Sequence, residues 1–554
     1  MRNIIKISMM LAVLIMAGCQ SSDDDNTIPN VDENAVILNE DNSNRVIFDN
    51  LGVVTVKGAP QENPETSARS FKSTAAKDLE PNDLPLVQIA KVSAPVYKGT
   101  TLRATHIDIN GKYAYVSYNV EGPTYMGAID VIDISDPLNP SVALQAIFPN
   151  TDISSVDYYE NALYLAGANA GISDSNPAIL MKMPLQNGMP TENIELMTIS
   201  GFVATDVAVS ASGIYGVSGD NGEVIKYNLS SLQIEETTAL ADLRAVGIND
   251  NKVVALSGTE GIHVYNSNNL NENKSFATSK DAPEAKRTID FYDKNVLVAE
   301  GAKGLGIYNI NNGSKLKTID VPVLEDQSID VNDVVTNAVS VEDKHIFTAD
   351  GAAGISVYTI TGSVSDLTTI GSLDLTGSAN YVKSANGYIF VADGKAGLKI
   401  LKTVTPDNGG INCTDFPTYT GGYWLNVNSN QDLAYRGSAS LMGINVNSKS
   451  SLTFCGALAV NKGINVNSGG LFTVKGSLAQ GTTEAPYNAL IVNNKATLQI
   501  EGSLVVYGDM ILNNGATLEF LGNGSSITVY GKVKQNGNVT IKGNYTDTFN
   551  SLKK

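Results

Sequence analysis

Seven polar residues, Thr105, Ser154, Thr205, Arg244, Arg287, Asn337 and Asn380, each stand two positions before a recurring apolar residue: Ile107, Val156, Val207, Val246, Ile289, Val339 and Val382. If those apolar residues occupy equivalent points of strands arranged around one axis, the polar side chains meet in a ring at one mouth of a channel. Two guanidinium forks among amides and hydroxyls suit a carboxylate or an acidic peptide. The acids Glu300, Asp350 and Asp393 fall on the same face and extend this candidate binding ring, although an acid before Gly is also ordinary turn chemistry. Other chemistry finds less support. His106, His263 and His345 lie in different repeats, without the spacing that brings two metal ligands onto one face, so no metal is expected. There is no Gly-x-Ser-x-Gly elbow, phosphate-binding loop or complete calcium loop. The glycines between Gly301 and Gly306 sit between strands and open no helix, which excludes a dinucleotide site. Carboxylate pairs could run glycoside chemistry only if they converge, and no spacing indicates that they do. The expectation is a non-enzymatic protein with no cofactor.

The elements that would hold the ring recur between Leu86 and Val404 at intervals of about 45 residues, a period that decides architecture before any local reading does. Each copy is a short strand, a turn, a second apolar strand, a Gly-rich turn and a third strand. The clearest copies are Tyr292 to Tyr308, Val341 to Tyr358 and Ala385 to Leu401, which share Ala299-Glu300-Gly301, Ala349-Asp350-Gly351 and Ala392-Asp393-Gly394. Alternation at period two, punctuated by Gly and Asn, excludes helical repeats. Seven copies predict an all-β fold, a seven-bladed β-propeller over residues 86–404, with the strand Leu86 to Val92 completing the last blade and closing the ring.

These blades resemble the LVIVD-repeat propellers of bacterial surface and secreted proteins, through Ala-Asp-Gly-x-x-Gly followed by an apolar strand and through Ile129-Asp130-Val131-Ile132-Asp133-Ile134-Ser135-Asp136-Pro137. That resemblance implies a fold and is nearly silent on activity. After a linker at 405–424, residues 425–554 show a period of roughly 20 residues. Ile444-Asn445-Val446-Asn447-Ser448 is echoed by Ile464-Asn465-Val466-Asn467-Ser468. Short strands with Gly and Asn at fixed corners predict a C-terminal parallel β-solenoid, a β-helix with laddered Asn side chains. The lone tryptophan, Trp424, stands where ring gives way to stack and reads as an interdomain packing residue. Cys413 and Cys455 can form a disulfide or remain buried thiols.

The N-terminus has Arg2 and Lys6, then an apolar run of roughly 11 residues and small residues before Cys19, a cleavable secretory pattern too short to span a bilayer. Met16-Ala17-Gly18-Cys19 resembles a bacterial lipobox, with residues 1–18 as signal peptide and Cys19 as the lipidation site. The Ser-Asp-Asp-Asp run that follows resembles the export signal of Bacteroidetes-type surface lipoproteins, which implies lipid anchoring in the outer membrane with exposure on the cell surface. Residues 19–85, rich in Asn, Asp, Ser, Pro and Glu, read as a flexible tether in which Ala35 to Leu38 and Val46 to Val56 could form a small hairpin. Without Arg2 and Lys6 the chain keeps 36 basic against 57 acidic residues, a net charge of −21 that repels phosphate and makes nucleic acid an unsuitable partner. The leading expectation is a surface-anchored protein-interaction scaffold, an adhesin or an accessory subunit of an outer-membrane complex. The alternative is a glycan-binding or glycan-degrading lipoprotein for polysaccharide capture.

Overall fold

A computed structural model describes residues 36–54, 84–136, 138–173, 175–279, 285–323, 329–373, 375, 377–405, 413–484 and 488–553. The signal peptide at 1–18 and the lipidation site Cys19 lie outside the described residues.

The inner strands Arg103–Asn110, Thr151–Tyr159, Ala204–Ser210, Leu243–Asn249, Ile289–Tyr292, Ala338–Glu342 and Tyr381–Ala385 each begin an antiparallel sheet whose further strands follow outward in chain order. Neighbouring inner strands pack side by side, and Tyr381–Ala385 returns to Arg103–Asn110. The ring is a seven-bladed β-propeller. Its last blade takes its outer strand from the start of the domain, where Leu86–Val92 pairs antiparallel with Leu398–Thr403. The closure expected from sequence order is therefore present, and it hides two edges that would otherwise be open.

Blade middles are apolar on both faces because each is sandwiched between two other blades. In Asn295–Ala299, Val296 and Val298 pack with Val254 and Leu256 of the preceding blade. The intervening Leu297 packs with Val339 and Ile346 of the following one. Burying each of these side chains is worth roughly 1.5–3 kcal/mol. The second glycine of the Ala-Asp-Gly-x-x-Gly motif has an equally local cause. A Cβ at Gly304, Gly354 or Gly397 would lie 2.0, 2.2 or 2.1 Å from the carbonyl oxygen of Ile319, Leu373 or Val92, where the outer strand ends.

The solenoid has six coils. Short parallel strands (Trp424–Val427, Gly443–Val446, Ile464–Val466, Ala489–Val492, Asp509–Leu512 and Val533–Gln535) form one sheet. Longer strands, including Asp432–Leu441, Ser451–Val460, Leu471–Gln480 and Thr497–Val506, form the other. These four are bent at Gly437, Gly456, Gly476 and Gly502, which stack in register with φ of 116°, 142°, 131° and 131°. At the corner after each short strand, an amide ladder runs from Asn467 to Asn447 (3.2 Å), Asn493 to Asn467 (3.2 Å), Asn513 to Asn493 (3.0 Å) and Asn536 to Asn513 (2.8 Å). Cys413 and Cys455 are joined in a disulfide. This bond ties the former linker to the second coil, and Pro417 and Tyr419 hydrogen-bond the backbone of Arg436 to cap the first.

The tether reading requires correction over residues 36–54. Ile37–Asn39 joins the outer edge of the first blade, while Val46–Ile47 and Gly52–Val54 join Leu86–Val92 in the last. The two apolar patches are thus separate edge strands, not a hairpin. Between them Arg45 makes a bidentate pair with the buried Asp130, at 2.8 and 2.6 Å. Asp130 comes from the Ile-Asp-Val-Ile-Asp motif, so this motif binds the N-terminal segment as well as building its own blade. Leu51 to Val53 then grip the solenoid: Val53 N–H donates to Gly481 O (3.0 Å), Thr483 N–H to Leu51 O (2.8 Å) and Asn461 Nδ2 to Val53 O (3.0 Å). Ala459, Ala479 and Tyr507 of the solenoid complete the apolar cluster around Leu86 and Val87.

Candidate functional site at the central channel

The ring of polar residues exists at one mouth, and its geometry explains why those residues are polar. In the first four blades the inner-strand pairing slips between Ala104 and His106, Ile153 and Ser155, Ala204 and Asp206, and Leu243 and Ala245. The residues skipped are Thr105, Ser154, Thr205 and Arg244. Each is a β-bulge, which re-aims its side chain. Three of the four reach the next blade: Thr105 Oγ1 donates to Ile153 O (3.0 Å), Thr205 Oγ1 to Leu243 O (3.1 Å) and Arg244 Nη1 to Ala285 O (3.3 Å). Asn337 Nδ2 does the same to Ala379 O (3.1 Å). Asn380 is half-buried beside Gly394.

The arginines are likewise committed, which corrects the reading of a carboxylate-holding ring. Arg287 is fully buried, with Nε on Ala299 O (3.1 Å), Nη1 on Gly258 O (3.3 Å) and Nη2 on Ser279 O (3.1 Å). Arg244 pairs with Asp242 at 2.8 Å. The turn acids do not face the channel either. Glu300 accepts from Ser279 N–H (3.0 Å) and from Tyr308 Oη; Asp350 accepts from Thr336, Thr348 and Ser356 hydroxyls at 2.7, 2.8 and 2.6 Å; Asp393 pairs with Lys399 at 2.9 Å. All three acids are buried and organise their own turns or the loop that enters a blade.

A second tier deeper in the channel was not read from the sequence. Asp108, Asp157, Asp206 and Asp290 accept the backbone N–H of Tyr158, Val209, Val246 and Val341, each on a neighbouring inner strand, at 2.7–3.0 Å. Lys383 approaches Asp108 to 3.7 Å. Burial works against its ammonium, but Asp108, Asp290 and Asp157 together raise its pKa. Lys286 crosses from the fifth blade to donate to Thr105 O and Ser154 O of the first two and lies 5.0 Å from the Tyr381 ring. Burial lowers its pKa to about 7 against the opposing pull of Asp206. Burial likewise raises Asp206 to about 6 and holds His106 well below its ordinary value. The signal available in the sequence was the position one after the aligned apolar residue, which holds Asp108, Asp157, Asp290 and Lys383. Among the described residues no cluster of His, Cys, Asp or Glu has metal-binding geometry.

The channel is bridged by its own side chains. No family model matches the sequence, and no curated protein matches it. The chain is similar in structure to a chain of the mitotic checkpoint complex, with a TM-score of 0.44, 10% identity, and coverage of 62% of this chain and 98% of that one. It is also similar to the WD40 β-propeller domain of Doa1, with a TM-score of 0.41, 11% identity, and coverage of 59% and 97%.

The two ends of the ring differ in surface chemistry. Loops at the mouth, between outer and next inner strand or between second and third strands, expose Val96 (62%), Ile172 (38%), Phe202 (58%), Val323 (82%) and Val331 (76%). The other exposed large apolar residues of the ring lie on outer strands, Leu196 (51%), Ile234 (54%) and Leu316 (40%), the last two near where those strands begin at the opposite end. Trp424 corrects another expectation: it is 48% exposed on the first coil and is not an interdomain packing residue.

Proposed function

We propose that this chain is a non-enzymatic, surface-anchored scaffold whose propeller mouth face docks a protein partner. The supporting observation is that the loops of that face gather five exposed apolar residues, Val96, Ile172, Phe202, Val323 and Val331, whereas Leu196, Ile234 and Leu316 stand singly on outer strands. Exposed apolar side chains gathered on one side of a polar-turned ring suit protein contact. The solenoid packs against the outer edge of the last blade and leaves these residues uncovered. Lipid on Cys19 would hold the protein at the outer membrane, facing outward, where confinement strengthens a weak contact. Because Ile37 is already paired with the first blade, the chain from Cys19 to the ring spans at most about 65 Å. The partner is then an outer-membrane protein or a molecule close to that membrane.

The test is a crosslinked pull-down of the lipidated protein from intact cells, comparing the natural chain with Phe202→Asp/Val331→Asp. Recovery of one outer-membrane protein, depleted at least about tenfold by the double variant, supports the reading. Recovery of the chain alone, or equal recovery by both, rejects it.

A further inference from the structure

Trp424 is the only tryptophan in the chain and begins the first short strand of the solenoid. Its register partner on the next coil is Gly443. A Cβ at Gly443 would meet the indole's Cζ3, Cε3 and Cη2 at 2.3, 2.7 and 3.1 Å. Three atoms of the six-membered ring over one glycine mean that the indole lies down on the sheet. One face covers backbone and the other meets solvent, which accounts for an exposure of 48%.

On the same outward face, two residues along each strand, runs a second row of amides. Asn445 Nδ2 donates to Asn426 Oδ1 (2.8 Å), and Asn465 Nδ2 donates to Asn445 Oδ1 (3.2 Å). Unlike the corner ladder, this row sits on an open sheet surface, with Asn426 exposed and Asn445 and Asn465 half-buried. The row has a direction: it leaves the Asn426 amide as a donor at the tryptophan end and the Asn465 carbonyl as an acceptor at the other. Trp424, Asn426, Gly443, Asn445, Gly463 and Asn465 carry no ionisable group, in a chain whose net charge is −19.

A flat apolar ring beside a row of neutral donors and acceptors complements a pyranose, which has an apolar C–H face and a rim of hydroxyls. We infer that this strip is a binding platform for a neutral hexose oligosaccharide, with one sugar stacked on Trp424 and hydroxyls of the chain on the amide row. Successive amides are about 4.8 Å apart, the spacing of neighbouring parallel strands, so an extended sugar chain meets them in sequence. The platform is on the solenoid, away from the propeller mouth, and it goes beyond the scaffold reading without depending on it.

With a single tryptophan among 23 tyrosines, emission excited selectively at the red edge of the indole absorption reports this site alone. The full chain is titrated with cellohexaose, maltohexaose and mannohexaose, and the affinity of any responder is measured by calorimetry. The expected result is a saturable emission change with at least one of them. Trp424→Ala should then weaken binding at least about tenfold and Asn445→Ala about threefold or more, while Trp424→Phe retains part of it. Asn513→Ala, which breaks the corner ladder instead, should leave affinity unchanged. Silence with all three sugars overturns the proposal. So does undiminished binding by a Trp424→Ala protein whose circular dichroism shows it folded.

Discussion

Asp206 illustrates how a side chain can be required by the fold and still work against stability at neutral pH. One oxygen accepts Val246 N–H at 3.0 Å, which stitches the third blade to the fourth. Burial raises the carboxyl to about 6, above its ordinary value of 3.8. A carboxyl raised on folding binds its proton more tightly in the folded state, so its cost is full above pH 6 and is relieved as pH falls toward 4. Asp157 and Asp290, raised by burial in the same channel, act with the same sign. Lys286, lowered to about 7, affects mainly the range above neutrality. Urea unfolding should therefore show a more stable protein at pH 5 than at pH 7.5, by on the order of 1 kcal/mol for Asp206 alone. Asp206→Asn, which keeps an acceptor for Val246, should gain stability at pH 7.5 and flatten that part of the profile. A profile that instead rises with pH across this range would contradict the argument. Arg45 is the opposite case, because it neutralises a fully buried Asp130. Arg45→Ala should cost about 3–5 kcal/mol in the same assay, most of it from the stranded carboxylate, and Asp130→Asn in addition should recover part of the loss.

At the scale of elements, repetition made most of the fold readable. Seven apolar strands at equal spacing, and Ile-Asn-Val-Asn-Ser recurring in the C-terminal part, specify blades and coils because each unit buries its faces only against copies of itself. The corner ladder can be tested at its middle. Asn513 both donates to Asn493 and accepts from Asn536, so Asn513→Ala should cost about 1–3 kcal/mol in the solenoid's unfolding transition. A mouth ring of polar residues was also legible, but its role was not. Sequence places Thr105, Thr205 and Asn337 at equivalent positions, yet only the bulges and loops reveal that their hydrogen bonds are spent on the next blade. The N-terminal apolar patches were legible, but their pairing was read as a hairpin because the strands are three residues or fewer and are set in polar surroundings. Their edge pairing depends on partners far away in sequence, which no local period records. The exposed indole of Trp424 escaped for a similar reason, since its floor, Gly443, comes from the following coil.

At the scale of the whole molecule, residues 36–54 act as a strap that joins both domains. They contribute edge strands to the first and last blades and a bridge at Gly52 to Thr482 of the solenoid. The segment that receives the strap also explains an irregularity in the solenoid's period. The corner asparagines Asn447 and Asn467 are separated by 20 positions, but Asn467 and Asn493 by 26, and the added length runs out through Gly481 and Thr483 to meet Leu51 and Val53. Gly52 has φ of 122°, and a Cβ there would stand 2.4 Å from Gly481 O, so no other residue fits without moving one domain from the other. Gly52→Val should therefore open this contact while each domain keeps its own core. Small-angle scattering should give a larger radius of gyration, and calorimetry should resolve two transitions where the natural chain shows greater cooperativity. Unchanged scattering and a single unaltered transition would mean that the apolar contact of Ala459, Ala479 and Tyr507 with the last blade holds the domains without the strap. If the strap does hold them, partner capture at the propeller mouth should survive Gly52→Val, because that face lies at the far end of the ring from the contact being opened.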